Sequence, residues 1–498
     1  MEEPLVQNSY RQIFKSTTLI GGSQVINILL GIVRTKILAV LLGPSGVGII
    51  GLYSSITGLI GTFAGMGIGS SGVRQIAEAA GTGDDDLIAR TTITLRRVAI
   101  ILGAAGAVTL VACAYPLSRI TFGDSSHAWA LAFLSVTIFF GAVSGGQAAL
   151  IQGMRRVSHL ASLSVLGSLF GTLFSIPFVF FLGQKGIVPF LIVTSAASIG
   201  TSWWFARKIQ VTRTVMIWKE TWREARGLLN LGIVFMATGV MTAGTMYAVR
   251  VIVVRNLGLD AAGLFQAAAT LSTLYIGVIL TAMGADFYPR LTAVASDDIT
   301  VNRLVNEQAE VGLLLALPGI VFTLAFAPLI LQIFYSAKFL AAYDVLHYYI
   351  LGIFLRVLCW PLGFIILAKG KGVLFFWTET IANGLHIGFA WWGVLFFGLA
   401  GTGIAFFIMY VLYTATMIAV ARWISGFTWT GNNGRHMLYA LPLVGLIFLV
   451  SQTITESWSM LLGGLLTFIT TFYSLKSLHG IVGSVDVKSF FRKVGIKL

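Results

Sequence analysis

Charge is what this sequence has least of. Only 10% of its 498 residues are Asp, Glu, Lys or Arg, whereas an ordinary soluble domain carries about 25%. With 57% of residues hydrophobic, that scarcity excludes a soluble globular chain and points to a polytopic membrane protein. Cysteine is nearly absent: Cys113 and Cys359 stand alone in apolar runs, so neither a disulfide framework nor a metal site is expected. The motifs of catalysis are missing too. Ser, His and Asp occur, but no nucleophile elbow, zinc spacing or phosphate loop surrounds them, so neither an enzyme nor a resident cofactor is expected. The opening MEEPLVQNSYRQIFK leads into a long apolar helix without a small-residue cleavage site, so no removable signal peptide is expected.

What is present is apolar sequence in runs of membrane-spanning length. Spans of about 20 residues count as crossings, and there are about fourteen of them. The net charge of +14 raises the question of nucleic acid, but its distribution answers it. One set of connections holds Arg74, Arg90, Arg96, Arg97, Arg155, Arg156, Arg207, Lys208, Arg290, Lys369, Lys371 and Arg422; the opposite set holds only Arg119, Lys185 and Lys338. Basic loops face the cytoplasm, so both termini are expected there and no nucleic-acid partner is. The organisation expected is all-α: an N-lobe of six helices over 1–206, a cytoplasmic amphipathic linker over 207–227 suited to a surface helix, a C-lobe of six helices over 228–422, two further helices over 436–477, and a basic cytoplasmic tail over 478–498.

The two lobes repeat. Leu42-Gly43 recurs 215 residues later as Leu257-Gly258, Gly48 as Gly263, Gly183 as Gly398 and Gly186 as Gly401, and Asp84 to Asp86 reappear as Asp297 and Asp298. Six crossings per lobe make the repeat parallel, with substrate expected between the lobes. The last two helices have no partner in the first half.

Basic residues inside apolar helices are the candidate site. Arg34 lies about 13 Å below the Gly43-Pro44 turn at 1.5 Å per residue, and Gln24, Asn27, Gly31 and Arg34 share one helical stripe. Arg250 stands eight residues before Gly258, at nearly the same depth by the repeat, and Arg356 lies midway along helix 10. Intramembrane cations face a bundle interior or a water-filled path, and guanidinium forks suit phosphate. These three arginines are therefore expected to line a cationic inter-lobe cavity. Lys36 and Arg255, nearer their turns, carry less weight. On helix 11, Glu379, Asn383 and His386 share a face, with Glu379 at a depth similar to Arg356. That pair is either a structural salt bridge or a coupling site for a proton or sodium ion. Asp286 is a candidate gate near Arg290 and Arg74.

The segment GGSQVINILLGIVRTKILAVLLGPSGVGIIGLYSSITGLIGTFAGMGIGSSGVRQIAE resembles the opening of Wzx-type lipid-linked oligosaccharide flippases of the MOP superfamily, and the likeness continues as a pattern over both six-helix lobes. The resemblance implies a MATE-like fold in the bacterial inner membrane. It also implies alternating-access transfer of an undecaprenyl-pyrophosphate-linked glycan, such as an O-antigen unit, with polysaccharide polymerase machinery as a further partner. Fourteen helices rather than twelve look like the lipid II flippases, which is the alternative reading. A cation-coupled drug exporter is disfavoured, because buried bases outnumber Glu379, the one acid read as well buried.

Overall fold

A computed structural model describes residues 3–209, 211–212, 214–454 and 456–482. Side chains are described from residue 21 on, apart from those of 230, 231, 234, 235, 282, 285, 286, 456, 457, 481 and 482. Every regular element among the described residues is a helix: α1 (Glu3–Gly65), α2 (Ile68–Thr82), α3 (Asp85–Phe122), α4 (Ala128–Gly153), α5 (Val157–Leu182), α6 (Ile187–Ala206), α7 (Trp218–Ala293), α8 (Asp298–Ala325), α9 (Ala327–Phe334), α10 (Tyr343–Ala368), α11 (Gly372–Phe397), α12 (Ala400–Ser425), α13 (Gly431–Thr453) and α14 (Glu456–Val482), with short 3-10 turns at Gly183–Gly186 and Ala337–Ala342.

Eleven segments are long and apolar enough to cross a membrane, which makes the chain a multi-pass membrane protein. Three of them, Gly21–Gly65, Val157–Ala206 and Met236–Thr281, run 45, 50 and 46 residues, about twice what one crossing needs. Each reverses at a glycine of positive φ: Gly43 at 66°, Gly183 at 57° and Gly258 at 87°. Counted as pairs, they restore the expected fourteen crossings. At the first of these turns, Pro44 disfavours a helical conformation at Gly43 and pre-sets the first residue of the next helix, where its missing N–H leaves no bond unmade.

The 215-residue repeat is a repeat of contacts as well as letters. A Cβ on Gly48 would strike the carbonyl oxygen of Leu259, and one on Gly263 would strike that of Pro44, the same pair shifted by the repeat. Gly186 likewise meets the carbonyl of Phe178, and Gly401 that of Gly393. Gly183 and Gly398 both take φ 57°. Asp84 caps α3 by accepting from the N–H groups of Asp86 and Leu87 at 2.9 and 3.2 Å. Asp297 caps α8 in the same way, from Ile299 and Thr300 at 3.0 and 3.3 Å. Such caps contribute roughly 1 kcal/mol each. The Thr300 hydroxyl and backbone donors hold the Asp297 carboxyl below its ordinary range.

Contacts group the chain as Met1–Gln266 with Ile333–Lys338, and Ala267–Gln332 with Phe339–Leu498. The stretch 228–266, assigned to the C-lobe by the repeat, therefore groups with the first unit, where the Gly48 and Gly263 approaches hold it. The first unit packs around Leu38, Tyr53, Leu134 and Phe190 at one level and Ile76, Leu95, Leu150 and Phe205 at another. Phe287, Val305, Leu362 and Met417 anchor the second.

The linker differs from the surface helix expected of it. Helix begins only at Trp218, and the described residues before it, from Arg207, form turns and extended chain bound to α3. Arg97 Nη1 donates to the Met216 carbonyl at 3.0 Å and to Thr221 Oγ1 at 2.7 Å, with its guanidinium 4.8 Å from the Trp218 ring centre. Arg90 Nε and Thr94 Oγ1 each reach Glu224 at 3.0 Å. The β-branched run Val211, Thr212, Thr214, Val215 and Ile217 disfavours helix, and α3 supplies donors that an isolated surface helix would not need.

The entries of α7 and α13 are both tied to a neighbouring helix by side chains. Thr221 and Glu224 lie at the entry of α7, bound to α3; His436, 215 residues after Thr221, lies at the entry of α13, bound to Glu310 of α8. The entry of α7 is thus bonded to α3 and that of α13 to α8.

Candidate functional site

Arg356 occupies the most distinctive position among the candidates. It lines a cavity of about 230 Å³ with Glu379, Asn383, Tyr410 and Tyr413, and a second of about 570 Å³ with Thr273, Thr281 and Tyr288. Trp360 and Phe364 line both. The three recur at i, i+4 and i+8, so one face of α10 forms the wall that the two cavities share. The rings meet edge to face, Trp360 with Phe364 at 4.7 Å and Phe364 with Phe287 at 5.6 Å between centres. The wall therefore combines a guanidinium with an aromatic surface.

Glu379 is not held by the salt bridge that was one of its two alternatives. Its carboxylate accepts from the Tyr413 hydroxyl, and its backbone carbonyl accepts from Asn383 Nδ2 at 2.8 Å. No Arg356–Glu379 ion pair occurs among the described residues. His386, one turn beyond Asn383, is buried, lies 5.6 Å from the Phe406 ring, and is not among the residues lining either cavity. Its Nε2 has no hydrogen-bond partner among the described residues. The side chain of Asp286 lies outside the described residues.

In the first unit, Arg250 donates to Ser55 Oγ and to Gln266 Oε1. Ser55 in turn donates to the Gly51 carbonyl at 2.8 Å. A Cβ on Gly51 would lie 2.8 Å from Gln266 Oε1, so that glycine leaves room for the amide that orients the guanidinium. Arg34 is half-buried and has no hydrogen bond or ion pair among the described residues. The polar stripe before it does not form one wall: Asn27 Nδ2 turns to Ser164 of α5 at 2.7 Å, whereas Gln24 is exposed. Lys36 is half-buried. Arg255 is exposed, rests against Gly123 of the turn between α3 and α4, and lines none of the described cavities. A cavity of about 530 Å³ in this unit is lined by Ser54, Thr57, Thr62, Ser70, Thr137 and Ser195 among glycines, with no charged lining residue.

Glu379, read as well buried, is only half-buried, and the buried acid is another. Glu310 on α8 is 9% exposed and bound to His436, 3.0 Å from Oε1 to Nε2, while His436 Nδ1 lies 2.7 Å from the Tyr473 hydroxyl. An acid in the apolar part of α8 is a visible signal; its partners lie 126 and 163 residues onward in the chain, beyond the reach of local pattern.

The chain matches the family model described as "Polysaccharide biosynthesis protein" over residues 37–344. It is 22% identical over 412 residues to the lipid III flippase of Escherichia coli (strain K12), covering 80% of this chain and 95% of that one, and equally to the lipid III flippase of Shigella flexneri. Among solved structures, the lipid II flippase MurJ in an inward closed conformation superposes with TM-score 0.70 at 15% identity, over 94% of this chain and 99% of that one. An inward-facing MATE family transporter of the MOP superfamily gives 0.67 at 18% identity, over 80% and 94%. These two likenesses concern the fold. The family match spans well over half of the sequence, and the chain belongs to the polysaccharide biosynthesis protein family, with the helical fold of MOP-superfamily transporters.

Proposed function

We propose that this protein is a flippase, not an enzyme, that carries an undecaprenyl-pyrophosphate-linked oligosaccharide, an O-antigen or related surface-polysaccharide unit, from the cytoplasmic to the periplasmic leaflet of the bacterial inner membrane. The observation that carries the reading is the wall formed by Arg356, Trp360 and Phe364. A guanidinium suits a diphosphate through its fork of donors, and aromatic faces suit sugar rings, while the lipid tail stays in the bilayer. Arg34 and Arg250 are proposed as further phosphate ligands, with both termini cytoplasmic. The lipid III flippases that the chain resembles support lipid-linked cargo. Product released on the periplasmic side is a substrate for polysaccharide polymerase machinery.

A second reading, lipid II as cargo, is favoured by the fit over 94% of the chain to the lipid II flippase. Lipid analysis of a deletion strain separates them. Accumulation of a surface-polysaccharide intermediate supports the first reading and accumulation of peptidoglycan precursor the second. Accumulation of neither would remove lipid-linked cargo altogether. Orientation has its own test: an impermeant thiol reagent added to intact cells should label a cysteine placed at Ser45 but not one at Asp85, and the reverse pattern inverts the topology.

A further inference from the structure

Glu310, which is buried, and His436 and Tyr473, which are half-buried, form an ionisable group that this function leaves unused. They join three helices of the second unit: α8 supplies the carboxylate, α13 the imidazole and α14 the phenol. One turn before Glu310, Asn433 Nδ2 donates to the Asn306 carbonyl and side-chain oxygens at 2.9 and 2.8 Å. At the far end of α8, Gly463 of α14 lies so close to Ala325 that a Cβ there would overlap it. Thus α13 and α14 dock along α8 with the ionisable cluster in the middle of the seam.

The surroundings of the cluster are sparse in charge. From α14 comes Tyr473 and from α13 comes Tyr439, its ring 4.3 Å from that of Tyr473. On α8 itself the Arg303–Glu307 pair is exposed. Arg435 is exposed and donates to Asn432. No ionisable group of α10 or α12 is bonded to the cluster among the described residues. Lys476, one turn beyond Tyr473, is exposed, and among the described residues no other charged side chain is bonded to Glu310 or His436.

Proton count decides that neutrality. With one proton shared, the pair is neutral overall, whether written as carboxylate and imidazolium or as carboxylic acid and imidazole. Loss of that proton to water breaks one N–H or O–H bond and leaves a single negative charge among apolar helices. Gain of a second proton leaves a single positive one. Either charge favours opening the seam to water, since an unpaired buried ion is strongly disfavoured. We propose that Glu310, His436 and Tyr473 form a binding site for one proton, and that its occupancy fixes α13 and α14 against α8. The inference concerns a proton and is independent of the cargo.

Ser474, beside Tyr473 on α14, is 3% exposed and reports on the seam. In full-length protein in lipid nanodiscs, Ser474→Cys in a Cys113→Ser, Cys359→Ala background is labelled with a small thiol reagent, each rate divided by that of a free thiol at the same pH. Labelling should be slowest at one intermediate pH and rise on both sides, by about tenfold per pH unit beyond each titration. Glu310→Gln should abolish the alkaline rise and keep the acid one; His436→Gln should do the opposite; the double variant should be flat. A second readout does not depend on docking: infrared difference spectra between pH values should show a carboxylic-acid band that Glu310→Gln removes and Glu307→Gln leaves. A flat wild-type labelling profile overturns the docking role, and the absence of a titrating band overturns the proton site.

Discussion

Gly263 lies with its Cα against the carbonyl of Pro44, with no room for a Cβ between them. Its repeat counterpart, Gly48, stands in the same relation to Leu259. Helices approach this closely only through small residues, and in lipid such packing replaces the hydrophobic drive that water would supply. Overpacking a tight seam costs about 1–3 kcal/mol when side chains can yield, and a carbonyl backbone yields less. Gly263→Ala and Gly48→Ala should therefore each lower the thermal midpoint of the detergent-purified protein, and Gly263→Val should prevent its folding. Gly61→Ala is the control: nothing stands within 4 Å of a Cβ there. Equal midpoints for the Gly61 and Gly263 variants would remove the close approach as a source of stability.

Arg356 and Arg255 offer a contrast between a guanidinium on a cavity wall and one at an exposed turn. A hydrogen bond to a charged group contributes about 1.5–3 kcal/mol, so Arg356→Ala should slow translocation roughly 10- to 100-fold by that arithmetic. Lysine should rescue only in part, because an ammonium lacks the planar fork. Arg255→Ala should leave the rate within about twofold, given the small effects of exposed substitutions. Flipping of a fluorescent lipid-linked diphosphate in proteoliposomes gives both rates. Comparable loss in both variants would mean that bulk positive charge, not the α10 wall, governs transport.

Much of the architecture was legible because its cause is local. Gly43, Gly183 and Gly258 mark reversals in the letters because a positive φ favours glycine, and Asp84 and Asp297 announce their helices because a cap is a short-range bond. The candidate site was legible as residue types, not as partners. Arg250 could be placed by depth, but Ser55 as one holder lies 195 residues away. Asn27 read as cavity wall because its stripe continued to Arg34, yet a serine on α5 turned it aside. The linker misled because alternating apolar and basic residues suit lipid and also suit a charged seam, and only the position of Arg97 decides between them.

His127 supplies a pH dependence outside the membrane spans. It lies between α3 and α4, accepts or donates at 2.7 Å with the Tyr53 hydroxyl, and stacks on Phe122 at 3.7 Å. Burial holds its imidazole below the ordinary value of 6.5, with Asp124 opposing the shift. A folded value below the unfolded one means that the unfolded chain takes up the proton first, so the stabilisation is present above pH 6.5 and is lost as pH falls through the folded value. Thermal midpoints should therefore drop between pH 7 and pH 5, and His127→Gln should flatten part of that drop. An unchanged slope in the variant would assign the acid sensitivity between pH 7 and pH 5 elsewhere; Asp297, whose carboxyl is held below its ordinary range, bears only on more acidic solutions.

Glu379 poses the sharpest choice between structure and coupling. Its carboxylate is bonded to the Tyr413 hydroxyl and shares a cavity with Arg356 without an ion pair to it among the described residues. A structural role acts through Tyr413: Glu379→Gln keeps an oxygen to accept that hydroxyl, so stability and transport should both survive, and Tyr413→Phe should cost about 1 kcal/mol, the usual net contribution of one hydrogen bond. A coupling role acts through the charge. Glu379→Gln would then fold with an unchanged midpoint and bind cargo, yet lose the acceleration that an imposed proton or sodium gradient gives the wild type. A one-unit proton gradient linked to one proton corresponds to about tenfold in the transport equilibrium, well within the range of a vesicle assay. Neutralising Arg356 as well would not restore that response, because removing a phosphate ligand cannot replace a lost carboxylate. We expect the coupling outcome, since Glu379 opens onto the cavity that Arg356 lines. A gradient response retained in full by Glu379→Gln would return this carboxylate to a purely structural role.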